Sequence, residues 1–143
     1  MKKKIILFLL LFTIISILTG CINNKKTEEN EAIKEMKVII NNEEYTINLE
    51  DNKTAKKLVE LAPLEVTMKE LNGNEKYIYL ENNLPVDSYK PGHIEKGDVM
   101  LFNDNCIVIF YKSFDTEYGY TKIGHIDNLP DLGNQDIIAR FEK

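Results

Sequence analysis

The sequence predicts a mainly β domain, a barrel or a sandwich, with one or two short helices. Three observations carry this. From Lys37 onward about eight short runs either alternate apolar with polar residues or are continuously apolar. Clusters of Asn, Gly and Pro separate these runs. Only one segment shows good helical spacing. Many short strands with one helix bury their apolar faces most simply by closing or pairing sheets.

The elements follow in order. Lys37-Val38-Ile39-Ile40, the pair Asn41-Asn42, and Tyr45, Ile47 and Leu49 alternating with Thr46, Asn48 and Glu50 make a hairpin with a half-buried second strand. Ala55, Leu58, Val59 and Ala62 fall at i, i+3, i+4 and i+7, with capping groups in Asp51–Thr54 and a stop at Pro63. Leu64, Val66 and Met68 alternate again, and Asn72-Gly73-Asn74 turns the chain into Lys76–Leu80. A loop from Glu81 to Lys96 carries Pro85, Pro91 and Gly92. Val99–Phe102, a turn at Asn103-Asp104-Asn105, and the continuously apolar run Cys106–Tyr111 come next. Such a run fits a strand buried on both faces or lining a closed barrel. Ser113–Tyr120 reads as loop, Thr121–Ile126 as a short strand, Asn128–Leu132 as a one-turn helix or loop, and Ile137–Phe141 as the closing strand.

In front of this domain lies a different composition. Lys2, Lys3 and Lys4 precede an apolar stretch, Ile5–Leu18, broken only by Thr13 and Ser16. Its 14 residues fit a secretory h-region of roughly 7–15 residues and fall short of the roughly 20 that span a bilayer. Leu18-Thr19-Gly20-Cys21 resembles the lipobox of bacterial lipoproteins, in which a peptidase cuts before the cysteine and the thiol carries a diacylglyceryl anchor. The resemblance implies a signal peptide over 1–20, lipidation at Cys21, and a protein held at the extracytoplasmic face of the cell membrane. Two acyl chains on one residue supply the two signals that stable attachment needs. Residues 21–36 read as a charged, disordered tether, and 37–143 as one domain.

Charge and cysteines narrow the partners. Residues 1–20 hold three of the 18 basic residues and none of the 23 acidic ones, so the chain after cleavage carries a formal charge of −8. An acidic domain without a basic stripe is a poor partner for nucleic acid. With Cys21 committed to lipid, Cys106 stands alone and reads as a buried, unreactive thiol. His93 and His125 have no ligand partners at metal-like spacing, so neither a metal nor a cofactor is expected.

The strongest constellation is aromatic: Phe110, Tyr111, Phe114, Tyr118 and Tyr120. Phe110 reads as core. Tyr118 and Tyr120 share a polar loop with Glu117 and Gly119, and two readings stand, a structural corner or a surface groove for a peptide or small ligand.

Gly97–Phe102, Ile107–Phe114 and Tyr118–Ile126 resemble small bacterial cyclophilin-like domains, with the likeness running from about Lys37 to the C-terminus. The resemblance implies a closed eight-stranded β-barrel. Beside the prolyl isomerases of that fold, Phe110 or Tyr111 would floor the proline pocket, and Tyr120 would stand where they carry a histidine. Their substrate-twisting arginine and their glutamine have no counterpart between Leu71 and Phe102, and the sole arginine is Arg140. Losing one preorganised donor at such a site costs roughly 10²–10³ in rate. The expected function is therefore a membrane-anchored binding module without efficient catalysis, with Tyr111, Phe114, Tyr118, Tyr120 and His125 as candidate ligand-binding residues. The alternative is a weak peptidyl-prolyl isomerase assisting exported proteins.

Overall fold

A computed structural model describes residues 33–143. The expected signal peptide over 1–20, the expected lipidation site Cys21 and residues 21–32 of the expected tether lie outside the described residues. Among the described residues, ten strands and one helix follow in chain order: β1 (Glu35–Ile40), β2 (Glu43–Leu49), α1 (Lys53–Leu61), β3 (Leu64–Leu71), β4 (Glu75–Tyr79), β5 (His93–Ile94), β6 (Asp98–Phe102), β7 (Cys106–Phe110), β8 (Phe114–Asp115), β9 (Thr121–Ile126) and β10 (Ile137–Glu142). Eight of them close an antiparallel barrel in the order β1-β10-β3-β4-β7-β6-β9-β2, and β5 pairs with β8 outside it.

Local chemistry explains the hairpins. Asn41 and Asn42 have φ of 48° and 71°, the left-handed pair that a two-residue hairpin turn requires and that asparagine tolerates. The turn sets the register Val38↔Tyr45, and Val38 pairs on its other side with Phe141 of β10. β1 starts two residues before the expected strand, inside the segment assigned to the tether. Met36 is buried because it stands opposite Ile47 on the inward face.

The interior is filled from alternate positions: Val38 and Ile40, Ile47, Met68, Val99 and Leu101, Ile107 and Ile109, Ile123, and Ile137, Ala139 and Phe141. The helix buries Ala55, Leu58 and Val59. Asn52 caps it, accepting from the Ala55 amide at 2.8 Å. The same side chain donates to the Lys122 carbonyl on β9 at 2.7 Å, which ties the helix to the barrel wall. Asn128–Leu132 forms no helix. Asn128 turns the chain with φ of 56°, and Leu129 is buried.

β9 carries an irregularity. Val99 pairs with Gly124 but Met100 pairs with Lys122, so Ile123 is the extra residue. A Cβ on Gly124 would run into the Asn48 carbonyl oxygen and come within 2.7 Å of Ile47 Cγ2, so only glycine lets β2 approach this closely.

Candidate functional site

β4, β7 and β6 are neighbours, and their outward faces form the floor of a surface groove. Register places Tyr79, Cys106 and Phe102 in one row, and Tyr77, Val108 and Met100 in the next. Glu75 and Phe110 stand in a third. The short side chains of Cys106 and Val108 run down the middle, with tyrosines on one side and Phe102 on the other, and that difference in height makes a depression. Above it folds the segment Phe114–Tyr120. β8 pins one end of that segment to β5, and a backbone bridge between Tyr120 and Tyr89, 2.9 Å in both directions, pins the other.

The result is a cavity of about 600 Å³ that takes in Glu75, Tyr77, Tyr79, Phe102, Phe114, Tyr118 and Tyr120. This lies within the size range of small-ligand pockets, roughly 300–1,000 Å³. Its aromatic walls hold each other. Tyr120, 5% exposed, meets Phe110 edge-on at 5.5 Å between centroids and Phe102 at 5.6 Å. Phe114 packs on Phe110 at 5.5 Å. Tyr118, 66% exposed, stands edge-on to Phe102 at 6.1 Å, and Tyr79, 57% exposed, flanks Tyr77 at 5.8 Å. The deep residues are thus locked by packing, and the mouth is lined by rings free to meet a ligand.

Electrostatics inside the groove are those of an acid with no counter-ion. Burial, then repulsion from Glu70, raises the Glu75 carboxyl to about 7. Burial and the nearby Glu75 push the Cys106 thiol up to about 11, which keeps it protonated at neutral pH and a poor nucleophile. The Tyr120 hydroxyl is raised chiefly by burial and then by Glu75. Among the described residues no three His, Cys, Asp or Glu side chains converge as metal ligands would.

The structure brings Phe114, Tyr118 and Tyr120 together at this groove and sets two other candidates elsewhere. Tyr111 is fully buried inside the barrel. Its ring lies 4.7 Å from Lys76 Nζ, and its hydroxyl donates to Glu70 Oε2 at 3.4 Å. It follows Phe110 in a strand of period two, so the two rings face opposite sides. Phe110, expected in the core, is fully buried but on the groove side. His125 sits on β9 with Nδ1 3.0 Å from Asp98 Oδ1, and its ring packs on Gly97, where a Cβ would come within 2.9 Å.

Sequence reasoning missed Glu75, Tyr77 and Tyr79. Their alternation with Lys76 and Ile78 was visible, but a lysine on the inward face disguised which side was core. Arg140 lies on β10, paired with Glu142 at 2.9 Å, beside a separate cavity lined by Ile39, Asn42 and Glu65. Neither arginine, lysine nor glutamine is among the residues that line the aromatic groove.

Residues 38–142, the whole barrel apart from the first three residues of β1, match the model described as the cyclophilin-like family. The chain belongs to the cyclophilin-like family. No curated protein and no solved structure matches it. On this cyclophilin-like barrel the groove occupies the outer face of β4, β7 and β6. The polar atoms it offers a ligand come from Glu75, the Asn72 and Asn74 amides, Thr116 and tyrosine hydroxyls, with Asp115 and Glu117 also in its lining. Such a set can hold and orient a molecule, but it contains no planar cationic fork to stabilise a twisting amide.

Proposed function

We propose that this cyclophilin-like protein is an extracytoplasmic binding module, anchored to the membrane through lipid on Cys21, whose aromatic groove grips a peptide or small ligand without efficient catalysis. The observation that carries the reading is an open cavity walled by four tyrosines and two phenylalanines with no arginine in its lining. Tyrosine gives large contact area and a polar tip at low entropy cost, which suits reversible binding. The lipobox at Leu18–Cys21 supports the anchor.

The chain has seven tyrosines and no tryptophan, and four of those tyrosines line the groove, so tyrosine fluorescence reads occupancy directly. The full-length protein in detergent is titrated with a chromogenic Ala-Pro tetrapeptide, and proline isomerisation is followed in parallel. Expected are a saturable fluorescence response, its loss in Tyr118→Ala, and no turnover above background. Turnover comparable with ordinary cyclophilins would instead establish the rival reading, a peptidyl-prolyl isomerase, which family membership supports. Mass spectrometry of membrane-extracted protein tests the anchor, with an intact, unacylated N-terminus as the result that removes it.

A further inference from the structure

We propose that the ligand of this groove carries an organic cation, an ammonium or guanidinium head on an apolar stem, seated against Glu75 between the tyrosine rings. The inference rests on the groove being a binding site and names the chemistry it selects.

Four observations converge. Glu75 lies half-buried in the cavity and makes no hydrogen bond or ion pair among the described residues, and the charge that adds to the effect of its burial is another carboxylate, Glu70. Asn74 Oδ1, in the lining beside it, is buried and likewise lacks a partner. Both are acceptors, so what completes them is a donor, and a carboxylate removed from water without a cation is costly. Asp115 and Glu117 add negative charge, while the lining contains no lysine, arginine or histidine. Asp115 is held by His93 at 2.6 Å, which leaves Glu75 and Glu117 as the charges without a counter-ion there.

The walls fit the same guest. A cation is attracted to an aromatic face within about 6 Å of the ring centroid, and several rings arranged around a carboxylate select cations more strongly than either does alone. Tyr77, Tyr79, Phe102 and Tyr118 surround the space over Cys106 and Val108, and their apolar floor suits a methylene stem. An anionic ligand would meet the carboxylates of Glu75, Asp115 and Glu117 and negative ring faces, with no cationic side chain in the lining to offset them.

The groups facing Glu75 set the pH dependence. They are Glu70 on β3, Cys106 on β7 and Tyr120 ahead of β9, with Asp115 and Glu117 at the rim. Lys76 follows it on β4 but points into the barrel, and Lys69, across from Tyr77, is tied to Asp136 at 2.7 Å. Protonating Glu75 at acid pH removes the charge that attracts the guest, so selection for cations weakens as pH falls through about 7.

Binding of four capped amino acids to the full-length protein in detergent is measured at pH 8 and pH 5: Nα-acetyl methylamides of lysine, arginine, norleucine and glutamate. At pH 8 lysine and arginine are expected to bind at least about tenfold tighter than the norleucine isostere, with glutamate weakest. Glu75→Gln, and pH 5 with the unaltered protein, are expected to shrink that preference to about threefold or less while norleucine affinity stays unchanged. Circular dichroism verifies that the variant is folded, and should it not be, the pH 5 arm alone decides. Pentylammonium and a Gly-Gly-Lys-Gly-Gly peptide, compared at pH 8, tell a free amine from a side chain on an extended polypeptide. Equal affinity for lysine and norleucine, or a preference untouched by Glu75→Gln, overturns the cation assignment and leaves the groove standing. No fluorescence response to any probe overturns both.

Discussion

Replacing Lys76 by methionine tests how the barrel closes. Lys76 is 0% exposed, inside the barrel at the end where β3 turns into β4. Its ammonium donates to the carbonyls of Gly133 at 2.6 Å and Gln135 at 2.7 Å, which ties the loop before β10 to the end of the barrel. It also lies 3.8 Å from Glu70 Oε2 and over the Tyr111 ring. A hydrogen bond to a charged donor contributes about 1.5–3 kcal/mol, so the two together contribute roughly 3–6 kcal/mol. Against this stands the burial of an ammonium, which lowers its pKa despite the opposing pull of Glu70, Asp136 and Asp131. Methionine fills the stem volume and escapes that penalty but leaves two carbonyls without a donor and removes the cation beside Glu70, which keeps the Gly73 amide and the Tyr111 hydroxyl as donors. The net loss is about 2–3 kcal/mol. For a domain of this size it lowers Tm by about 8–12 °C. Urea unfolding of the purified protein, followed by near-ultraviolet circular dichroism of the tyrosines, measures it. A variant within about 0.5 kcal/mol of the parent, or more stable, would refute the reasoning, because desolvation of the ammonium would then offset both hydrogen bonds.

Three further outcomes follow from the packing and charge of the barrel. Gly124→Ala forces β2 away from β9, because the new Cβ meets the Asn48 carbonyl, and thermal melting should report a loss of about 1–3 kcal/mol. Glu75 titrates higher in the folded protein, about 7 against its ordinary 4.5, so the folded state binds more protons between those values and stability falls as pH rises through that window. Allowing for its partial solvation, the fall is about 1–2 kcal/mol, and Glu75→Gln should flatten it in unfolding curves taken from pH 4.5 to 8. Tyr120→Ala should lose about 3 kcal/mol of stability because its ring is packed between Phe102 and Phe110, whereas Tyr118→Ala should stay within about 0.5 kcal/mol and lose binding instead. Equal stability losses in urea would show that the mouth and floor of the groove are not distinct.

For the two tyrosines of the 118–120 loop the sequence left a structural corner and a surface groove both open, and the structure divides them, with Tyr120 packed between Phe102 and Phe110 and Tyr118 exposed at the mouth of the groove. Tyr111 was not legible as interior. Cys106–Tyr111 is apolar on both faces, and a strand buried on both sides carries no alternation from which to assign an inward residue. Phe110 and Tyr111 could be told apart only by their partners, Glu75 for the first and the Lys76–Glu70 pair for the second. Glu75, Tyr77 and Tyr79 were hidden for the opposite reason. Their strand alternates cleanly, but its inward face carries a lysine whose acceptors lie 57 and 59 residues away in sequence.

What the amino-acid order determined by itself is local: the Asn41-Asn42 and Asn72-Gly73 turns, the helix capped within Asp51–Thr54 and ending before Pro63, and the approximate positions of the eight barrel strands, whereas β5 and β8 lie in segments that read as loop. These depend on backbone preferences and on contacts a few residues apart, which a linear pattern records. Tertiary structure alone decided which face of β4 and β7 looks outward, and that an unpaired carboxylate and four tyrosines share one cavity. The physical reason is that the groove is a product of register across three strands and of a loop pinned over them. Distances between side chains brought together by barrel closure leave no period in the chain.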